Sequence, residues 1–219
     1  YVLLGNGDGT SGTARTYDTD RGPSAVVLAD VTGDGKTDVL VSNYDAATVS
    51  LLPGNGDGSF QPQRVFTVGS GANALATVDL NGDGRLDVVT ANYEANTVSV
   101  LLNSGGGSFS PAKSYTTGAG PAALAAGDFN ADGRPDIVTA NADGSSVSYL
   151  QGSAASPGAL NAARSLTTGK GPSAVLARDI NGDGKLDILT GNADSGDISL
   201  LSGKGDGTFR PVTHHGAGH

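Results

Sequence analysis

Short apolar runs rich in Val, Ile, Leu and Thr punctuate the chain, each five to eight residues long and closed by a cluster of Gly, Asn and Asp. Such runs read as β-strands, and nowhere do ten uninterrupted residues carry a helical period. The strands come in sets. PSAVVLADV, NALATVDL, AALAAGDF and SAVLARDI are followed by DVLVSN, DVVTAN, DIVTAN and DILTGN, and then by TVSLL, TVSVL, SVSYL and DISLL. A shorter fourth segment, RVFTV, KSYTT or RSLTT, comes after a Gly-rich turn. The third segment alternates, with Val49 and Leu51, or Val98 and Val100, on one face. The first is more continuously apolar, which predicts the most buried strand.

The sets recur with a period of about 50 residues, and that repeat takes precedence over any local motif. Four antiparallel strands per period predict an all-β fold, a β-propeller of four-stranded antiparallel blades with the first strand lining the central channel. The expected organisation is a half repeat at 1–22, which matches only third and fourth strands. Repeats at 23–71, 72–120, 121–171 and 172–213 follow, then a tail at 214–219. The last repeat already carries its own third and fourth strands, so these residues read as part of a larger propeller, with a compact four- or five-bladed ring as the competitor. Thirty-five glycines suit the many tight turns.

One nonapeptide follows the first strand of every repeat: DVTGDGKTD from Asp30, DLNGDGRLD from Asp79, DFNADGRPD from Asp128 and DINGDGKLD from Asp179. Carboxylates this close repel unless something positive sits between them. The pattern D-x-[DN]-x-D-G-x-x-D places oxygen donors at positions 1, 3, 5 and 9 and a backbone carbonyl at 7, with a glycine at 6 for the turn. An all-oxygen cage of this kind selects calcium over zinc, copper or magnesium, and predicts about four Ca²⁺ ions. The donors would be Asp30, Asp34, the Lys36 carbonyl and Asp38, with Thr32 where Asn or Asp is expected; Asp79, Asn81, Asp83, the Arg85 carbonyl and Asp87; Asp128, Asn130, Asp132, the Arg134 carbonyl and Asp136; and Asp179, Asn181, Asp183, the Lys185 carbonyl and Asp187. Ala131 replaces the usual glycine of the third loop. Metal-free Asp- and Gly-rich turns are the simpler reading of one copy, but turns alone need one acid rather than three.

These units resemble the FG-GAP or VCBS-type repeats of integrin α-subunit propellers and of many secreted bacterial proteins, on the strength of LLGNGDG, PSAVVLADVTGDGKTD and the GDGSF and GDGTF turns. The resemblance implies a calcium-stabilised propeller that is secreted or at the cell surface. It does not fix the ligand, because such folds host adhesion, glycan binding and scaffolding and also accompany enzymes.

Charge narrows the partners. Among 219 residues there are 22 acidic and 13 basic, a net charge of −9, which argues against nucleic acid. No apolar run is long enough to insert in a membrane. There is no cysteine, hence no disulfide or thiolate chemistry. GSGANA (69–74), GAGPAA (118–123) and GKGPSA (169–174) fit a dinucleotide fingerprint but lack room for its helix, so they read as turns between repeats. His214, His215 and His219 fall in the expected tail, and no Ser–His–Asp arrangement can be drawn without them. The loops opposite the acidic face are the expected contact surface. Tyr44 and Tyr93 recur there as ligand-contact candidates, or as packing residues against the next repeat. The expectation is a non-catalytic module for a glycan or protein surface; the alternative is an accessory or catalytic domain of a secreted polysaccharide-degrading enzyme. The oligomeric state stays open.

Overall fold

The computed structural model describes residues 1–216. Four antiparallel sheets of four strands follow one another along the chain. The first holds β1 (Pro23–Ala29), β2 (Asp38–Asn43), β3 (Thr48–Leu52) and β4 (Arg64–Thr67). The second holds β5 (Ala72–Val78), β6 (Asp87–Asn92), β7 (Thr97–Leu101) and, beyond the small hairpin β8 (Asn103–Gly105) and β9 (Ser108–Phe109), β10 (Lys113–Thr116). The third runs β11 (Pro121–Gly127), β12 (Asp136–Asn141), β13 (Ser146–Leu150) and β14 (Arg164–Thr167). The fourth runs β15 (Pro172–Arg178), β16 (Asp187–Asn192), β17 (Asp197–Leu201) and β18 (Thr213–Gly216).

The sheets stack in sequence order, β1 against β5, β5 against β11 and β11 against β15. Each seam buries its own apolar cluster. Leu40, Val49 and Leu51 of the first sheet meet Leu75 and Val88 of the second; Val89, Val98 and Val100 meet Ile137 and Leu150; Val138 and Tyr149 meet Ile188 and Leu201. The Tyr149 ring stands edge-on to Phe129 and Phe209, a favoured arrangement for the aromatic quadrupole. At the two ends of the stack the same faces are uncovered. Val26 and Leu28 are 63% and 65% exposed, whereas Leu75, the equivalent of Val26, is 8% exposed. At the other end Ile180 is 45% exposed, although its counterparts Val31, Leu80 and Phe129 are buried.

Two sequence expectations change here. The first strand of a sheet is not the most buried one: β1 and β15 are largely exposed, while β2, β6 and β12 are buried throughout. A second strand has paired neighbours on both edges, whereas a first strand ends its own ladder. The alternating third strand is buried on its polar side as well, through Ser50, Ser99, Ser148 and Ser199. Each accepts a hydrogen bond from a buried asparagine Nδ2, from Asn43, Asn92, Asn141 and Asn192 at 2.8–2.9 Å, which removes the penalty for burying both groups. Finally, His214 and His215 belong to β18, the fourth strand of the last sheet, rather than to a tail; His219 lies outside the described residues.

The N-terminal segment is tied by Val2 to Arg15 and by Gly5 to Ser11 bridges. Its Tyr17 stands edge-on to Phe60 beside Val39, Val41 and Leu52, so the half repeat covers part of the first sheet's outer face.

Candidate functional site

Each nonapeptide is the turn between the first and second strands of its sheet, and its ninth residue opens the second strand, with Asp38 opposite Ala29 and Asp136 opposite Gly127. The turn needs left-handed backbone at its fourth and sixth positions. Gly33, Gly82 and Gly182 have φ of 74–77° and Ala131 has 57°, so the third loop holds a Cβ in a region that favours glycine.

The loop itself answers the crowding of its carboxylates. At position 1, Asp30 accepts the amides of Gly33, Asp34 and Gly35 at 2.7–3.2 Å, and Asp79 and Asp179 repeat the pattern. Asp128 accepts Asp132 and Gly133. At position 5, Asp34, Asp83 and Asp132 pair with Lys36, Arg85 and Arg134 at 3.2, 2.5 and 2.7 Å. The backbone amides of Lys36 and Arg85 and these cations hold Asp34 and Asp83 below the usual carboxylate range. Asn81 and Asn130, at position 3, donate to the position-5 carboxylate at 2.8 and 3.0 Å. Asn181 accepts the Asp183 amide at 2.8 Å, and Thr32 takes up the same place between Asp30 and Asp34 at 3.3 and 3.2 Å.

The ninth residue turns the other way. Asp38, Asp87, Asp136 and Asp187 are wholly buried. One carboxylate oxygen of each accepts the amide of loop position 2, at 3.0 or 3.1 Å. The other accepts the amide of Gly54, Asn103, Gly152 or Gly203 at 2.7–2.8 Å. This carboxylate therefore staples the nonapeptide to the turn after the third strand. Burial raises Asp87 and Asp136 above the usual carboxylate range, and Tyr149 Oη adds a hydrogen bond to Asp136 at 2.8 Å. Among the described residues no three His, Cys, Asp or Glu side chains are gathered into one cluster. What the loop brings together is Asp, Asn and Asp at positions 1, 3 and 5. This all-oxygen set suits a hard cation, provided that the cation displaces the pairing of position 5 with Lys36, Arg85 or Arg134.

On the opposite edge, Tyr93 reaches the next sheet and donates to Asp143 Oδ1 at 2.9 Å. Tyr44 lies beside Glu94, and burial and then that carboxylate push its phenol up. Both tyrosines thus bridge neighbouring sheets. Sequence reasoning missed a second arrangement: Asp197 and Ser199 both meet His214, at 3.1 and 3.2 Å. Both contacts fall on Nδ1, so the ring cannot pass a proton from the serine to the aspartate through its two nitrogens, and the trio ties β17 to β18. The strand pairing of Ser199 with His214 was the only available signal, and it is not visible in one sequence.

Two open clefts lie along the seams between sheets. One of about 510 Å³ is lined by Val65, Phe66, Leu101 and Phe109 between the first and second sheets. The other, of about 520 Å³, lies between β10 and the third sheet and includes Tyr115, Ser148 and Ala163.

Among solved structures, an Agrocybe aegerita lectin described as recognising non-reducing terminal N-acetylglucosamine is 20% identical, over 98% of this chain and 73% of its own, with a TM-score of 0.53. An auxiliary nutrient binding protein from Bacteroides ovatus is 14% identical over 90% and 48%, with a TM-score of 0.58. A chain from the complex of BBS1N with ARL6DN is 10% identical over 90% and 57%, with a TM-score of 0.62. At these identities the likeness is one of fold, and each of these proteins is longer than the stretch it shares. No curated protein shows a significant match. The model of the FG-GAP-like repeat matches residues 30–90, 79–139, 128–190 and 179–219, each beginning on the first Asp of a nonapeptide, and the chain belongs to the FG-GAP-like repeat family.

Proposed function

We propose that the four sheets are blades of a calcium-stabilised, extracellular β-propeller that acts as a binding module for a glycan or protein surface. The observation that carries this reading is the repetition of open clefts along successive seams, which offers a ligand several related concave surfaces. Lectin and nutrient-binding proteins of like fold support it, as does a neighbour from a protein–protein complex for the protein alternative. The uncovered faces at Val26, Leu28 and Ile180 are those that further blades would cover in a larger ring.

Calcium belongs to the proposal through the donor chemistry of Asp30, Asp79, Asp128 and Asp179 with their neighbours at positions 3 and 5. Bound there, the ion would supply structural cross-linking rather than chemistry on a substrate. The chain's own part is to fix the position-1 carboxylate with two or three loop amides and to keep the buried ninth residue as the staple. A glycan array run beside a hydrolase and lyase screen tests the function. Saturable binding without turnover is expected; turnover of a polysaccharide would overturn the module reading in favour of an enzyme domain.

A further inference from the structure

We infer that the cleft between the second and third sheets is a saccharide subsite for a neutral sugar carrying an acetamido group; this rests on the glycan-binding reading above and names its site. In the first sheet the buried Ser50 accepts two hydrogen bonds, from Asn43 Nδ2 and the Asp20 amide, and donates its own proton to Gln63 Oε1 at 2.6 Å. In the fourth, Ser199 has His214 as that third partner. In the third sheet Ser148, 1% exposed, accepts Asn141 Nδ2 and the Gly118 amide, and no acceptor for its proton stands among the described residues. Where the first sheet has Gln63, the third has Ala163, and Ala163 and Ser148 both line the cleft. In the second sheet Ser99 also accepts only Asn92 Nδ2 and the Gly69 amide, with Ala112 in the place of Gln63, so what sets Ser148 apart is that it lines a cleft.

A second group points to the same place. Tyr115 lines the cleft and its Oη is buried without a hydrogen-bond partner; the corresponding residue of the first sheet is Phe66, in a cleft walled by Phe109 and Leu101. A buried hydroxyl left unpaired costs about 1–3 kcal/mol, so Tyr115 Oη, beside the unused proton of Ser148, favours a ligand that supplies their partners. Ser114, Thr116 and Ser165 add hydroxyls that both donate and accept, while no ionisable side chain other than the tyrosine is among the lining residues. The nearest charge, Lys113 Nζ, lies over the Tyr115 ring at 5.2 Å from its centroid and outside the lining, along which a neutral polyol finds hydroxyls. The carboxamide oxygen of Gln63 shows which acceptor fits the Ser148 proton, and an acetamido carbonyl presents the same oxygen.

The test is calorimetric titration of the whole chain with N-acetylglucosamine and with glucose, repeated on Ala163→Gln and Tyr115→Phe, beside the glycan array. N-Acetylglucosamine should bind about tenfold tighter than glucose, the worth of one good hydrogen bond. Ala163→Gln, which supplies the acceptor internally, should abolish binding while melting no lower than the parent, and Tyr115→Phe should weaken it several-fold. Array binding that Ala163→Gln and Tyr115→Phe leave unchanged would overturn this site and leave the module reading standing. A chain that binds neither monosaccharide and no glycan on the array would overturn both.

Discussion

Replacing Val41 by Thr should stabilise the protein. In the second, third and fourth sheets a threonine on the second strand donates to the buried asparagine two residues on: Thr90 to Asn92, Thr139 to Asn141 and Thr190 to Asn192, at 2.8, 2.8 and 2.9 Å. The first sheet has Val41 at that position, and Asn43 Oδ1 is buried without a partner. A stranded buried acceptor costs about 1–3 kcal/mol. Exchanging a methyl for a hydroxyl at the buried Val41 forfeits about 0.8 kcal/mol of apolar burial beside Val39 and Leu52. The net expectation is a gain of about 1 kcal/mol, which for a chain of this size raises Tm by about 2–4 °C. The mirror change, Thr90→Val, should cost about the same or more, because it strands Asn92 Oδ1. Differential scanning calorimetry on both variants and the parent decides the matter. A Val41→Thr protein that melts below the parent, together with a neutral Thr90→Val, would refute the claim that this hydrogen bond supports the sheet.

If the proposed calcium sites are filled, chelation with EDTA should lower Tm by well over 10 °C, since four sites at a hundredfold excess over Kd would contribute about 2.7 kcal/mol each; an unchanged melting curve would remove calcium from the account. Asp136→Ala strands the Phe129 and Gly152 amides and Tyr149 Oη and should cost about 3 kcal/mol or more, by the same amount in excess EDTA if the staple works without the ion. Ala131→Gly relieves a φ of 57° and should gain about 1 kcal/mol in urea denaturation. The Asp197 carboxyl is held below its usual range by the Ser195 hydroxyl, then Asn192, with His214 a smaller cause. Its stabilisation is present above the unfolded carboxyl range and lost as pH falls through the folded value. The Tm gap between the parent and Asp197→Asn should accordingly shrink from pH 6 towards pH 3, and a constant gap would exclude the linkage.

The period of about 50 residues, the four strands of each unit and the position of every acidic turn follow from local chemistry. β-Branched runs bounded by Gly, Asn and Asp permit few alternatives, and Gly33, Gly82 and Gly182 sit where a left-handed turn demands them. Which of those strands ends up deepest depends on how many neighbours each acquires. That is a property of the stack, so the apolar β1 lies exposed while β2 beside it is buried throughout. The acidic loops show the same division. Three carboxylates in nine residues are legible as a charge problem, but sequence spacing cannot say that the ninth faces inward onto the amides of Leu80 and Asn103, as Asp87 does, or that Arg85 folds back on Asp83. Nor can it say that His214 meets Asp197 and Ser199, or that Ser148 lacks the partner that Gln63 gives Ser50. His214 and its two partners, and Gln63 and Ser50, lie 13 to 17 residues apart along the chain and are brought together only by strand register and sheet packing, which set distance in space independently of separation in sequence.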